Sequence, residues 1–113
     1  TIKGYLENRV DVATNVLRRT FAKGMDVEVL HNATLKRINH LTNDPRLREH
    51  VTLMAYEQPA LFKIHGIFDN EDLSWVNVSV DTPADLDRVK KFLNNVDLEA
   101  FSYKDIKDYL RRL

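Results

Sequence analysis

Asp81 is the polar residue best placed for chemistry. It follows a valine-bearing alternating stretch, Trp75 to Val80, and directly precedes a helix-start signature, so it stands at the carboxyl end of an expected strand. Open α/β sheets bind ligands outside the carboxyl ends of their strands. A carboxylate there can hold Mg²⁺, a hard cation that takes oxygen ligands and usually keeps water or phosphate oxygens as well. The same carboxylate could instead serve only the helix dipole. Asp26 and Glu28 come next. On an extended strand they share one face, roughly 7 Å apart. After a glycine-bearing loop, such a pair can accept hydrogen bonds from the hydroxyls of a polar ligand, or simply form a solvated face. Arg19 offers a planar two-pronged guanidinium suited to a carboxylate or a phosphate, against the plainer reading of surface charge.

A third group lies in Arg48-Glu49-His50-Val51-Thr52. Arg48 and Thr52 are four apart and share a helical face. A histidine beside an acid has the ingredients of acid–base chemistry, but adjacent helix positions do not face each other and no third group is fixed by the sequence.

Other reaction classes find no support. The four histidines (His31, His40, His50, His65) lack zinc-ligand spacing, and no cysteine is present to supply thiolate ligands or disulfides. Ser74, Ser79 and Ser102 stand in no nucleophile elbow. The only glycines are Gly4, Gly24 and Gly66, so neither a P-loop nor a G-x-G-x-x-G phosphate cradle can be written.

These side chains need a scaffold to hold them. A chain of 113 residues that is 43% hydrophobic and 30% charged suits a single globular domain spanning residues 1–113. Lys plus Arg equals Asp plus Glu, 17 of each, so there is no overall positive field for nucleic acid. The pairs Arg18-Arg19 and Arg111-Arg112 are local exceptions, most simply read as solvated. No apolar run approaches the roughly 20 residues of a membrane helix, no leader pattern opens the chain, and the absence of cysteine fits a reducing cytoplasm.

The periodicities predict helix, strand, strand, helix, helix, strand, strand, helix, helix. Ile2 to Asn8 has helical spacing. Val10 to Leu17, Met25 to Leu30, Leu61 to Phe68 and Trp75 to Val80 are expected as strands, the last the clearest. Asn32 is the expected cap of a helix carrying Leu35, Ile38 and Leu41, ended by Asn43-Asp44-Pro45. Arg46 to Glu57 reads as one further helix closed by Pro59. Thr82 with Asp85, and Ser102 with Asp105, form capping boxes. They open a helix with Leu86, Val89 and Leu93 as its stripe and a last one with Ile106, Tyr109, Leu110 and Leu113 inward. Strands interleaved with helices give an α/β sheet.

Four segments together resemble the spore-coat polysaccharide type of cytidylyltransferase, within the CMP-sugar synthetase superfamily. Arg19-Thr20-Phe21-Ala22-Lys23-Gly24-Met25-Asp26-Val27-Glu28-Val29 is similar to that family's R-T-F-P-x-G-L-D-V-E-V. Arg48-Glu49-His50-Val51-Thr52 is similar to R-E-H-V-T, Val80-Asp81-Thr82-Pro83-Ala84-Asp85-Leu86 to V-D-T-P-E-D-L, and Phe101-Ser102-Tyr103-Lys104-Asp105-Ile106 to F-S-x-x-D-I. Ala22 and Leu53 stand where that family usually has proline. The resemblance implies a partial nucleotide-diphospho-sugar transferase fold, Rossmann-like, a mixed sheet with flanking helices. It implies CTP and a sugar as substrates, Mg²⁺ as metal, Asp81 as a metal ligand, and Arg19, Asp26, Glu28, Arg48, Glu49 and His50 on the sugar side.

The family's glycine-, arginine- and lysine-bearing CTP loop and its second metal-binding aspartate have no counterpart in these residues, which match its carboxy-terminal half. The expectation is therefore the carboxy-terminal part of a larger nucleotidyltransferase domain, inactive alone and homo-oligomeric. The alternative is a non-catalytic relative that dimerises or binds a sugar.

Overall fold

Val12, Ala13 and Thr14 are wholly buried and form strand β1 (Val12–Thr14). A strand covered on both faces has no polar side to display, which explains the weak alternation around it. Its backbone must then be paired along both edges. Strand β2 (Glu28–Leu30) pairs antiparallel on one edge, with Thr14 opposite Glu28, and β3 (Ile64–Gly66) pairs parallel on the other, with Thr14 opposite Gly66. The result is a mixed three-stranded sheet of order β2-β1-β3. All three strands are shorter than their alternating stretches, because pairing stops where the partner leaves the sheet.

The chain, described as a computed structural model over residues 1–112, divides into two units. The first comprises Thr1–Phe21 and Asp26–Leu73, the second Ala22–Met25 and the chain from Ser74 onward. In the first unit, α1 (Ile2–Asn8) touches all three strands and ends at Arg9, which adopts the left-handed conformation at φ 47°. Helix α2 (Asn32–Leu41) is capped one residue earlier than expected. The His31 ring nitrogen Nδ1, not Asn32, accepts from the Ala33 N–H at 3.0 Å. The core gathers Val12, Ile38, Met54, Ala55 and Phe62, with Leu30, Leu47 and Ile64 against it. Asp11 ties its rim together. One carboxylate oxygen accepts from the Lys63 N–H at 2.7 Å, and the other meets Arg37, whose guanidinium lies 4.1 Å from the Phe62 ring centre.

The single helix expected over Arg46 to Glu57 is two: α3 (Pro45–Glu49) and α4 (Leu53–Glu57). His50 leaves helical geometry at φ −104°, ψ 92°, and β-branched Val51 and Thr52 do not favour recovering it. Arg46 and Glu57 close the corner with two parallel hydrogen bonds of 2.7 and 2.9 Å.

In the second unit, Trp75 to Val80 is not a strand. Among the described residues only Asn77 bridges, to Lys23, through Lys23 N–H to Val76 O at 2.9 Å and Val78 N–H to Lys23 O at 2.8 Å. The Asn77 carboxamide then captures the Ser79 N–H at 2.9 Å. That local turn competes with any further ladder, and Trp75 stays 70% exposed. Gly24 makes the bridge possible. It sits at φ 93°, and a Cβ there would lie 2.6 Å from Ser79 N. Helices α5 (Pro83–Leu93) and α6 (Tyr103–Leu110) both begin with the expected capping boxes. Leu86 and Leu93 stay more than a third exposed, and Phe92 takes the packing role, edge-on to Phe101 and Tyr109. Ile106, Tyr109 and Leu110 turn inward as expected, while Leu113 lies outside the described residues. Among the described residues no helix is long and apolar enough to cross a membrane.

Two outcomes follow from this packing. Phe62→Ala empties a site only 3% exposed and should cost about 3–5 kcal/mol, read as a lowered urea midpoint. The Asp85 carboxyl, held by Thr82 and then Arg88, is drawn from an ordinary 3.8 down to about 2. Its contribution is thus present above 3.8 and lost as pH falls through about 2. The stability gap between the parent and Asp85→Asn should be open at neutral pH and close over that interval in acid denaturation followed by circular dichroism.

Candidate functional site

Parallel β1 and β3 put Thr14 and Gly66 at the same end of the sheet, and antiparallel β2 brings the start of its strand, Glu28, to that end too. This is the carboxyl end of the parallel pair, where α/β sheets bind ligands. The structure gathers Arg19, Asp26 and Glu28 there, with two residues the sequence did not single out, Thr14 and Tyr56.

Asp26 lies two residues before β2 rather than in it, so it and Glu28 take different partners. Arg19 grips Asp26 with both guanidinium nitrogens, at 2.5 and 2.9 Å. That mutual hydrogen bond holds the Asp26 carboxyl below its usual range and raises the Arg19 guanidinium above its own. Glu28 turns to Tyr56 on α4, with 2.6 Å between the Tyr56 Oη and Glu28 Oε2. Tyr56 Oη is also 2.9 Å from the buried Thr14 Oγ1, which accepts from the Val16 N–H at 3.1 Å.

A phenol has one proton and an ionised carboxylate has none to give. Tyr56 therefore donates to Glu28, and Thr14 donates to Tyr56. Burial first, and then the bond to Glu28, push the Tyr56 phenol well up, so it keeps its proton. Asn15, nearly as buried as Thr14, braces the segment entering β2: its Oδ1 accepts from the Val27 N–H at 2.8 Å.

Arg48, Glu49 and His50 do not join this group through any hydrogen bond or ion pair among the described residues. Arg48 donates to the Asn39 and Thr42 carbonyls at 3.4 and 3.3 Å, capping the end of α2. Glu49 is exposed at the end of α3, and His50 caps that helix through its N–H to Arg46 O. The same segment had a signal for the missed residue. Tyr56 follows it on a predicted helix, but only the break at His50–Thr52 decides where Tyr56 points.

Asp81 belongs to the second unit, at the start of α5. One of its carboxylate oxygens lies 3.2 Å from the Ser79 hydroxyl, and its N–H donates to Asp85 at 3.1 Å. Among the described residues no three His, Cys, Asp or Glu side chains cluster as a metal site. Asp81 would therefore hold a Mg²⁺ with at most one further side chain of these types, the remaining positions falling to water and phosphate oxygens.

The Arg19–Asp26 pair gives a direct test. Its side chains are 28% and 48% exposed, so its worth is limited to about 1 kcal/mol or less by solvent screening. Arg19→Ala should move the Asp26 titration upward toward 3.8, read by carboxylate-detected NMR. An unmoved Asp26 means the pair does not persist in solution.

No family model matches the chain, and no curated protein sequence does. Among solved structures, the chain is similar to a cytidylyltransferase from Leptospira borgpetersenii serovar Hardjo-bovis (strain JB197), with 28% identity and a TM-score of 0.87. The likeness covers 96% of this chain and 45% of that one, so the chain spans less than half the length of that structure. The mixed sheet with its flanking helices is accordingly the α/β fold of a nucleotidyltransferase-like protein, matched over nearly the whole chain by a cytidylyltransferase.

Proposed function

We propose that this chain is the sugar-side portion of a cytidylyltransferase, transferring CMP from CTP to a sugar acid or related sugar for a surface polysaccharide such as a spore coat. The observation that carries the reading is the 28% identity with a cytidylyltransferase over 96% of the chain. The grouping of Arg19, Asp26, Glu28 and Tyr56 at the carboxyl end of the sheet supports it. In the complete reaction, a sugar oxygen attacks the α-phosphorus of CTP and pyrophosphate leaves. Positioning is the main task of the protein in such a transfer. Glu28 and the Arg19–Asp26 pair orient the sugar here. When bound, Mg²⁺ neutralises phosphate charge, and Asp81 is the residue of this chain that would hold it.

The chain by itself should bind a monosaccharide yet release no pyrophosphate above background from CTP, Mg²⁺ and sugar. Turnover by the chain alone sinks the claim of inactivity; failure to bind any monosaccharide sinks the sugar-side reading. For Asp81, millimolar Mn²⁺ should broaden the backbone NMR signals of residues 79–82, and Asp81→Asn should abolish the effect. Equal broadening in the variant means Asp81 is no ligand.

A second reading, self-association without catalysis, is favoured by one feature of the second unit. Leu86, Leu93, Leu98 and Phe101 are all more than a third exposed, on and after α5. A second copy covering them predicts sedimentation that grows with concentration and is abolished by Leu93→Asp. A monomer at every concentration counts against it.

A further inference from the structure

We propose that the second unit accepts an added β-strand along residues 76–78, with one apolar side chain of that strand seated in a cavity lined by this segment, α5 and α6. The occupant is an extended polypeptide segment with large apolar residues at alternate positions. The inference goes beyond the sugar-side reading and does not depend on it.

First, one edge of this segment is bonded and the other is not. Lys23 takes the Val76 carbonyl and the Val78 N–H. In such a parallel bridge the residue between them turns its own N–H and C=O to the opposite edge. Among the described residues nothing bonds to the Asn77 backbone N–H or C=O. An open edge is a template for pairing with another strand. This one is short, because the Asn77 carboxamide already holds the Ser79 N–H at 2.9 Å.

Second, an apolar cavity of about 210 Å³ adjoins the segment. The buried Val76 and Leu110 line it, with the half-buried Phe92 and Ile106. An apolar cavity of about 150 Å³ accepts a benzene ring, so this one has room for one leucine or phenylalanine side chain. It is smaller than the roughly 300–1,000 Å³ of small-molecule pockets. Leu93 and Phe101 line the same cavity, so a strand seated there competes with the self-association reading.

Third, the polar lining of the cavity matches a backbone. Asn77 lines it, and so does Arg88. One terminal nitrogen of Arg88 donates to Asp85 at 2.8 Å and to the Ser79 carbonyl at 3.5 Å. Its Nε is buried with no hydrogen-bond partner among the described residues. A buried donor without an acceptor is costly. Two donors and one acceptor thus stand beside an apolar space. A helix keeps its backbone bonds to itself, and a hydrocarbon ligand has none to offer. An extended strand brings carbonyls, N–H groups and an apolar side chain at every second position together. The likeness leaves more than half of the similar cytidylyltransferase unmatched, which gives the strand a source in chain beyond these residues.

The probe is an acetylated, amidated nonapeptide that alternates leucine with threonine between terminal lysines. Its control has the same side chains but is N-methylated throughout, so it has no backbone donors. Hydrogen exchange at the Asn77 amide, followed by NMR on the intact chain, should slow about tenfold or more with the peptide at millimolar concentration. The Arg88 Nε–H signal should shift with it, and neither should change with the control. Val89, on α5, also lines the cavity; Val89→Phe fills that space and should weaken peptide binding about tenfold. Asn77→Pro deletes the open donor without removing either bond to Lys23 and should weaken it as well. Unchanged exchange at Asn77 with the peptide overturns the proposal. Equal protection by the N-methylated control makes the site an apolar pocket only and overturns it too. So does protection that rises with the concentration of the chain alone, which makes a second copy the occupant. None of these outcomes bears on monosaccharide binding, so the sugar-side reading stands or falls separately.

Discussion

Strand β1 carries the constraint on which the rest depends. Its three residues are buried on every side, and a buried peptide group without a partner costs as much as a lost hydrogen bond. Both edges must therefore be paired. The partners come from distant stretches of chain, β2 fourteen to eighteen residues later and β3 fifty-two residues later in register. Because one pairing is antiparallel and the other parallel, the start of β2 and the ends of β1 and β3 arrive at one end of the sheet. Glu28, Thr14 and Gly66 are neighbours for this reason alone.

The polar groups at that end follow from the burial of Thr14. A hydroxyl in the middle of a sheet core needs partners, and Thr14 finds them in the Val16 N–H and the Tyr56 phenol. Tyr56 in turn needs an acceptor, and the exposed Glu28 supplies it. Each step outward trades burial for freedom, so a carboxylate in solvent is held by a chain of bonds rooted in the core. The Arg19–Asp26 pair shows the opposite economy. It is local and partly exposed, and its two charges offset each other.

The corner between α3 and α4 is the second place where local geometry decides chemistry. A continuous helix from Arg46 to Glu57 would keep Tyr56 in phase with Arg48 and Thr52. The departure at His50 resets that phase. The Arg46–Glu57 clamp and the burial of Met54 and Ala55 hold the new direction. Arg48 is left to cap α2.

The sequence by itself determined the starts of the last two helices, the α/β class and the absence of cysteine chemistry and of glycine-rich phosphate loops. Capping boxes at Thr82–Asp85 and Ser102–Asp105 are legible because every atom involved lies within three residues. The motif around Arg19, Asp26 and Glu28 was legible as residue types, but not as partners. That Arg19 would close on Asp26 and Glu28 on Tyr56 depends on contacts seven and twenty-eight residues apart. Trp75 to Val80 misled for the complementary reason: alternation describes a side-chain pattern, while a strand needs a partner along its length, and among the described residues the pairing here is one bridge, to Lys23. Tertiary structure alone decided the order of the strands, the break at His50 and the place of Tyr56, because each is set by non-local pairing that no local pattern encodes.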